Sequence, residues 1–234
     1  MAPRAQIVFL PGLLCDARVF AAQTHALAPF ADTKVADFTK AASITEMGEI
    51  ALAAFDGPVT IVGFSMGGRA ALEAVRLAPQ RIERLVLMDT GAHPGSDKEM
   101  PGRLAVIELA HKEGMKALAA KWLPPMLHPA RETDPALIAP LTEMVLGMTP
   151  DIHERQIRAL MGRPDARPLL PRIACPTLVM VGRQDRWATL EQHEALAAAI
   201  PGSRLAVIED AGHFACFERP EAVNKALLDF LGFA

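Results

Sequence analysis

Six short apolar runs rich in β-branched residues punctuate this chain, and most are separated by segments with helical starts and spacing. The runs are Gln6–Leu10, Lys34–Asp37, Val59–Val62, Arg84–Met88, Thr177–Val181 and Arg204–Ile208. A strand buried on both faces reads as a nearly continuous apolar run, and strands that alternate with helices pair in parallel. The helical signals are explicit. Ser43-Ile44-Thr45-Glu46 is a capping box opening a helix to about Phe55, and Thr189-Leu190-Glu191-Gln192 opens another to about Ile200. Pro220 stands at the first position of a last helix that reaches Leu231. The pattern predicts an α/β fold with a mostly parallel sheet covered by helices on both faces.

From about Gly95 to Leu170 the alternation stops. Helical segments there are broken by Pro101, Pro124, Pro125, Pro129, Pro135 and Pro150, with no convincing strand. Residues 95–170 therefore read as a helical cap inserted into a core made of 1–94 and 171–234, with hinges near Gly95 and Arg167–Pro171. A length of 234 residues, 51% of them hydrophobic, suits one α/β domain with an inserted lobe.

Composition narrows the partners. A net charge of -3 with no long basic run argues against nucleic acid. The apolar run before Pro11-Gly12 is too short for a signal h-region, and nothing approaches a membrane span, so a cytoplasmic protein without a membrane partner is expected. Cys15, Cys175 and Cys216 form no C-x-x-C pair and read as reduced thiols. There is no H-E-x-x-H, no clustered acidic loop and no paired cysteine, so neither a metal nor another cofactor is expected. Oligomeric state is left open.

The stretch 61-IVGFSMGGRA-70 carries the chemistry. Gly63 and Gly68 have the outline of a phosphate-binding loop, but that loop needs Lys and Ser/Thr where this chain has Arg69 and Ala70. An ordinary turn is a second reading of Ser65. The third is a nucleophile elbow, G-x-S-x-G between an apolar strand and a strong helix former, in which Ser65 is exposed on a strained turn at the helix N-terminus. A serine nucleophile needs a base held by an acid, in the order Ser, Asp/Glu, His. Asp185 follows the strand ending at Val181, and His213 follows the strand ending at Ile208 within 209-EDAGHFACFERP-220. Asp89, after Met88, is the rival acid. His93 also follows a core strand but precedes Asp185. The backbone N–H groups of Leu13 and Met66 are the expected oxyanion-hole donors.

The elbow GFSMGG, the GRQDR loop and the AGHF loop resemble the α/β-hydrolase superfamily in order and spacing, from about Ile7 to Leu231. The resemblance implies an α/β-hydrolase fold and a serine hydrolase with a Ser65-His213-Asp185 triad. Pro11-Gly12 departs from the His-Gly of many members, which changes how the oxyanion loop is braced. The elbow GFSMGGR is also similar to that of menaquinone-pathway synthases, which implies that Arg69 helps hold a carboxylate-rich substrate; the alternative is a solvated helix residue.

The expected substrate is a small carboxylic ester or related acyl compound. Leu14, Phe64, Trp187 and Phe214, together with Leu13 and Met66, flank the catalytic positions and are expected to form pocket walls. Leu104, Ile107, Leu118, Trp122, Met126, Leu127, Met144 and Leu146 suit a lid face over an apolar group. Cys15 and Cys216 stand near the loops, where either would confer sensitivity to thiol reagents. The same triad also serves carbon–carbon hydrolases, enol-lactonases and synthase-like lyases, and a slow-turnover binding or signalling protein of this fold is the reading from another class.

Overall fold

The computed structural model describes residues 4–233. Each expected run becomes a strand: β1 (Ala5–Leu10), β2 (Ala31–Val35), β3 (Val59–Phe64), β4 (Ile82–Met88), β5 (Thr177–Gly182) and β6 (Arg204–Ile208). They form one sheet in the order β2-β1-β3-β4-β5-β6 with every neighbouring pair parallel. The helices are α1 (Ala21–Leu27), α2 (Ile44–Ala53), α3 (Met66–Leu77), α4 (Met100–Trp122), α5 (Pro135–Leu146), α6 (Pro150–Met161), α7 (Leu190–Ala199), α8 (Ala215–Glu218) and α9 (Pro220–Leu231).

The strand order determines which face each helix covers. The chain steps one way from β1 to β2 and the other way in all later steps. With right-handed crossovers, α1 covers one face and α2, α3 and α7 the other. Helix α9 packs on α1 and completes the first face, while α2 packs on α3. The direction reverses between β1 and β3, and a crevice opens at such a switch point beyond the strands' C-terminal ends. Strands β3 and β5 are buried along their whole length, which accounts for their unbroken apolar sequences.

Two details depart from the sequence pattern. Strand β2 lies earlier than Lys34–Asp37, pairing Ala31 with Ala5 and Val35 with Phe9. It is an edge strand with alternating exposure, so its hydrophobic pattern constrains register weakly. Thr189 starts α7 as expected, but its side chain makes no cap hydrogen bond. The Ser43 box does form: Ser43 Oγ accepts from Glu46 N at 3.1 Å, and Glu46 reaches back to Ala42 N at 2.6 Å.

Between β4 and β5 lies the helical insertion, built from α4, α5 and α6. Helix α4 is two helical segments joined at Gly114, whose φ of 81° breaks the helix. The segments leading in and out are tied together, with Ala166 N bonded to the Ala92 carbonyl at 2.9 Å and Gly95 N to that of Arg163 at 3.3 Å. No described helix is long and apolar enough to cross a membrane.

Candidate active site

Ser65 ends β3 and caps α3 with φ 53° and ψ -114°. Positive φ at a non-glycine residue costs on the order of 1–3 kcal/mol, so the surroundings must hold it there. The Ser65 N–H bonds to the Met88 carbonyl at 2.9 Å, and Thr90 Oγ1 donates to the Ser65 carbonyl at 2.6 Å. The turn is tight enough to exclude side chains: a Cβ on Gly67 would lie 1.9 Å from the Leu10 carbonyl oxygen, and one on Gly63 would lie 2.5 Å from that of Gly67. Thr90 is held in turn by His193, whose Nε2 accepts from Thr90 N at 2.9 Å while Nδ1 lies 3.0 Å from the Thr189 carbonyl. That pattern requires the neutral imidazole, and burial pushes the His193 pKa down accordingly. The sequence marked His193 only as a helix residue, since nothing local links it to Thr90.

The structure brings Ser65, His213 and Asp185 together. His213 Nε2 lies 2.8 Å from Ser65 Oγ, and His213 Nδ1 lies 2.8 Å from Asp185 Oδ2. The other Asp185 oxygen accepts from Trp187 N at 2.8 Å and Ala188 N at 3.0 Å. Burial alone would push the Asp185 carboxyl up, but His213 and these two amides outweigh it and hold it below the usual aspartate value. Asp185 is therefore a buried anion oriented on the imidazole. The rival, Asp89, is also buried at the end of β4, but burial and the neighbouring Asp185 push its carboxyl well above the ordinary range. It does not bond to His213.

The histidine loop is fixed from the cap side. His213 N donates to the Met126 carbonyl at 2.7 Å. Buried Glu218 accepts from Gly212 N at 2.7 Å, from His128 N at 2.9 Å and from Arg131 at 3.1 Å. Behind the imidazole, Phe64 lies 5.4 Å from both the His213 and Phe214 rings, and Trp122 meets Phe214 edge-on at 6.1 Å.

Leu13 follows β1 across the switch point from Ser65. The N–H groups of Leu13 and Met66 form no hydrogen bond among the described residues, and Met66 N is the first donor of α3. Where Pro11-Gly12 replaces the usual loop, the bracing comes from the cap. Leu14, at φ 58°, donates its N–H to buried Gln156 of α6 at 2.9 Å. A hydroxyl, an imidazole within hydrogen-bond reach of it, an orienting carboxylate and two free amides together suffice for attack on a carbonyl and stabilisation of the resulting oxyanion.

A cavity of about 340 Å³ opens onto Ser65 and His213. Of the expected wall residues, Leu13, Met66, Arg69, Trp122, Met126 and Trp187 line it, with Trp187 54% exposed at the surface. Leu14, Phe64 and Phe214 do not; they are fully buried behind the wall, where they support it. Of the lid residues only Trp122 and Met126 reach the cavity: Leu104 and Leu146 are exposed, and the other four are buried in the packing. Cys15 and Cys216 are also buried, and burial pushes both thiols up, which removes the expected sensitivity to thiol reagents.

Part of the cavity wall is charged. Arg69, Arg103, Arg163, Glu99 and His93 line one side of it. Arg163 bonds Glu99 at 2.5 and 3.2 Å, and Arg103 reaches the same carboxylate at 2.9 Å. Burial pushes the Glu99 carboxyl up, but these two guanidiniums hold it down at about 2. Arg69 has no carboxylate partner among the described residues; it donates to the His93 carbonyl at 2.6 Å and lies 3.3 Å from the His93 ring nitrogens. Burial, then the nearby Arg163, press its pKa down to about 9, which still leaves the guanidinium charged at neutral pH. His93, lowered to about 4 by burial and by Arg69 and Arg163, adds no charge there. Three guanidiniums thus face one carboxylate, and Arg69 is a wall residue rather than a solvated one. Among the described residues no cluster of three or more His, Cys, Asp or Glu side chains is placed to hold a metal ion.

The profile of the Alpha/beta hydrolase family matches residues 7–226. A 2-hydroxy-6-oxononadienedioate/2-hydroxy-6-oxononatrienedioate hydrolase of Cupriavidus pinatubonensis is 30% identical over 191 residues, which is 74% of this chain and 62% of that protein. Among solved structures, a thermophilic esterase from Thermogutta terrifontis superposes with TM-score 0.88 at 28% identity, covering 97% of this chain and 89% of its own. The enol-lactonase from Burkholderia xenovorans LB400 superposes with TM-score 0.86, also at 28% identity, covering 98% and 92%.

Proposed function

This chain belongs to the alpha/beta hydrolase family, and from that premise we propose that it is a serine hydrolase cleaving a small carboxylic ester or related acyl substrate that carries a carboxylate, through an acyl-enzyme. The observation that carries the reading is the unbroken path from Ser65 Oγ to His213 to Asp185, at 2.8 Å and 2.8 Å. In this reading His213 takes the Ser65 proton as the oxygen attacks and returns it to the leaving alcohol, and Asp185 holds the tautomer and stabilises the imidazolium. The Leu13 and Met66 amides receive the oxyanion. Arg69 meets the substrate carboxylate with a charge-assisted hydrogen bond, because its own surroundings leave that charge uncompensated. Residues 95–170, taken as the cap, set substrate choice.

A second reading is cleavage of a carbon–carbon bond or an enol-lactone by the same groups. It is favoured by one relative named as a hydrolase of an unsaturated oxo-dioate and another named an enol-lactonase, and by the cationic wall. The experiment is a turnover panel. It comprises short-chain nitrophenyl esters, their carboxylate-terminated counterparts, an enol-lactone, and a vinylogous diketone dioate, each assayed with the wild type and Ser65→Ala. Fastest turnover of the carboxylate-terminated esters supports the first reading, and preference for the diketone or lactone selects the second. No turnover by a wild type that still labels with a fluorophosphonate would sink both in favour of a slow-turnover binder.

A further inference from the structure

Asp89 closes β4 beside the end of β5 that leads to Asp185, and the mechanism above makes no use of it. Its side chain is wholly buried and its backbone sits at φ 46°, an uncommon region for a non-glycine residue. Oδ1 accepts the Gly182 N–H at 2.8 Å, which fastens Asp89 to the strand end three residues before Asp185. Oδ2 is buried with no hydrogen-bond partner, and Asp185 is the neighbouring carboxyl.

Two ionised carboxylates in contact have only acceptors to offer each other. A proton on one of them turns the repulsion into a hydrogen bond. The donors decide which one holds it. Asp185 receives three, from Trp187, Ala188 and His213, all of which favour its anion. Asp89 receives the single Gly182 amide. The other ionisable groups facing this pair are Glu218 and Cys216 of α8 and His193 of α7. Glu218 adds negative charge, Cys216 is a buried thiol, and His193 is neutral by its hydrogen bonds. None offers Asp89 a cation.

We propose that Asp89 is a neutral carboxylic acid at working pH whose Oδ2–H donates to Asp185, making it a positioning residue that extends the Ser65-His213-Asp185 relay by one member. The relay as a functional unit is the reading given above, but two of the tests below do not depend on it. The upward push on the Asp89 carboxyl by burial and by Asp185 agrees with the geometry. It also has a thermodynamic consequence. An aspartate ionised in the unfolded chain above about pH 3.9 but neutral in the fold takes up a proton on folding, so its contribution becomes more unfavourable as pH rises. Asparagine keeps an acceptor for Gly182 and a donor for Asp185 without needing that proton.

The test compares the wild type, Asp89→Asn and Asp89→Leu in the full chain. Difference infrared spectra at neutral pH should show a protonated-carboxyl carbonyl band in the wild type that Asp89→Asn loses. The melting temperature of Asp89→Asn should exceed that of the wild type by a margin that grows from about pH 4 to pH 7. On the ester substrate, Asp89→Leu should lower kcat by about tenfold with KM nearly unchanged, since it removes roughly one buried hydrogen bond. It should also move the acid limb of the rate profile to higher pH, because Asp185, no longer receiving that bond, holds the imidazolium more strongly. Asp89→Asn should recover most of the rate. No band lost in Asp89→Asn, a melting advantage that does not grow with pH, or damage as great as that of Asp185→Asn would each overturn the proposal. If Asp89→Leu fails to fold, or the wild type turns over no ester, the infrared and melting results on Asp89→Asn still decide it.

Discussion

The two sides of the cavity are built by different rules. On the core side, Ser65, Asp185 and His213 each follow the C-terminal end of a parallel strand, and their positions follow from strand order. On the cap-facing side, Arg69 of α3 and His93 of the core meet Glu99, Arg103 and Arg163 of the insertion through ion pairs and hydrogen bonds, several of them between residues far apart in sequence. The core side buries the Asp185 carboxylate behind the imidazole. The cap side carries more guanidinium than carboxylate. In the proposed reading the first side breaks the bond and the second selects charge.

The largest effect should come from the core side. Ser65→Ala is expected to fold normally, lose covalent labelling and drop turnover by on the order of a millionfold, as removal of the nucleophile does in a well-studied serine protease. A variant retaining a tenth of wild-type activity would break the division at its root. Next is Asp185→Asn, for which a loss of roughly ten-thousandfold is expected from the wrong imidazole tautomer. A side-by-side assay with Asp89→Asn sharpens the point: if Asp89→Asn proves the more damaging, the acid lies after β4.

How much of this was legible in sequence follows the same division. Each triad residue sits within a few residues of an apolar strand, so local pattern and chain order were enough to place all three. The glycines of the elbow marked a backbone too crowded for side chains. Apart from Arg69 in GFSMGGR, the cationic wall had no such signature. Arg103 sits one turn from Glu99 at the start of α4 and Arg163 lies just past α6, both positions where charged residues ordinarily face water, and only the packing of α4 against α6 brings Arg163 to Glu99. Leu14, Phe64 and Phe214 were misjudged for the converse reason. Adjacency in sequence to a catalytic residue does not make a wall: alternate residues at a strand end point to opposite faces, as at Phe64, and Leu14 and Phe214 are buried from the loops. The weak amphipathic signal of the edge strand β2 explains its shifted register.

A smaller effect concerns stability and the cap interior. His153 is buried in α6 with Nδ1 unpartnered, and burial lowers its pKa to about 4. A histidine lowered in the fold resists the proton that the unfolded chain accepts near pH 6.5, so its contribution falls as pH drops through 6.5 and levels off near 4. His93 acts in the same direction, weakened by its partial exposure. Melting temperature should therefore decline from pH 6.5 to 4, and His153→Gln should flatten that decline. An unchanged slope would separate the cap interior from the acid response.

The division itself is tested most directly by one paired measurement on Arg69→Met. The rate of Ser65 labelling by a neutral fluorophosphonate and kcat/KM for a carboxylate-terminated ester are compared with the wild type. Labelling should stay within about threefold, since Ser65, His213 and Asp185 are untouched. The ester value should fall by about 10- to 100-fold, the worth of a charge-assisted hydrogen bond of roughly 1.5–3 kcal/mol. A matched neutral ester should lose little. Equal losses in labelling and in both esters, or no loss for the carboxylate-terminated ester, would contradict the assignment of chemistry to the strand ends and charge selection to the cap side.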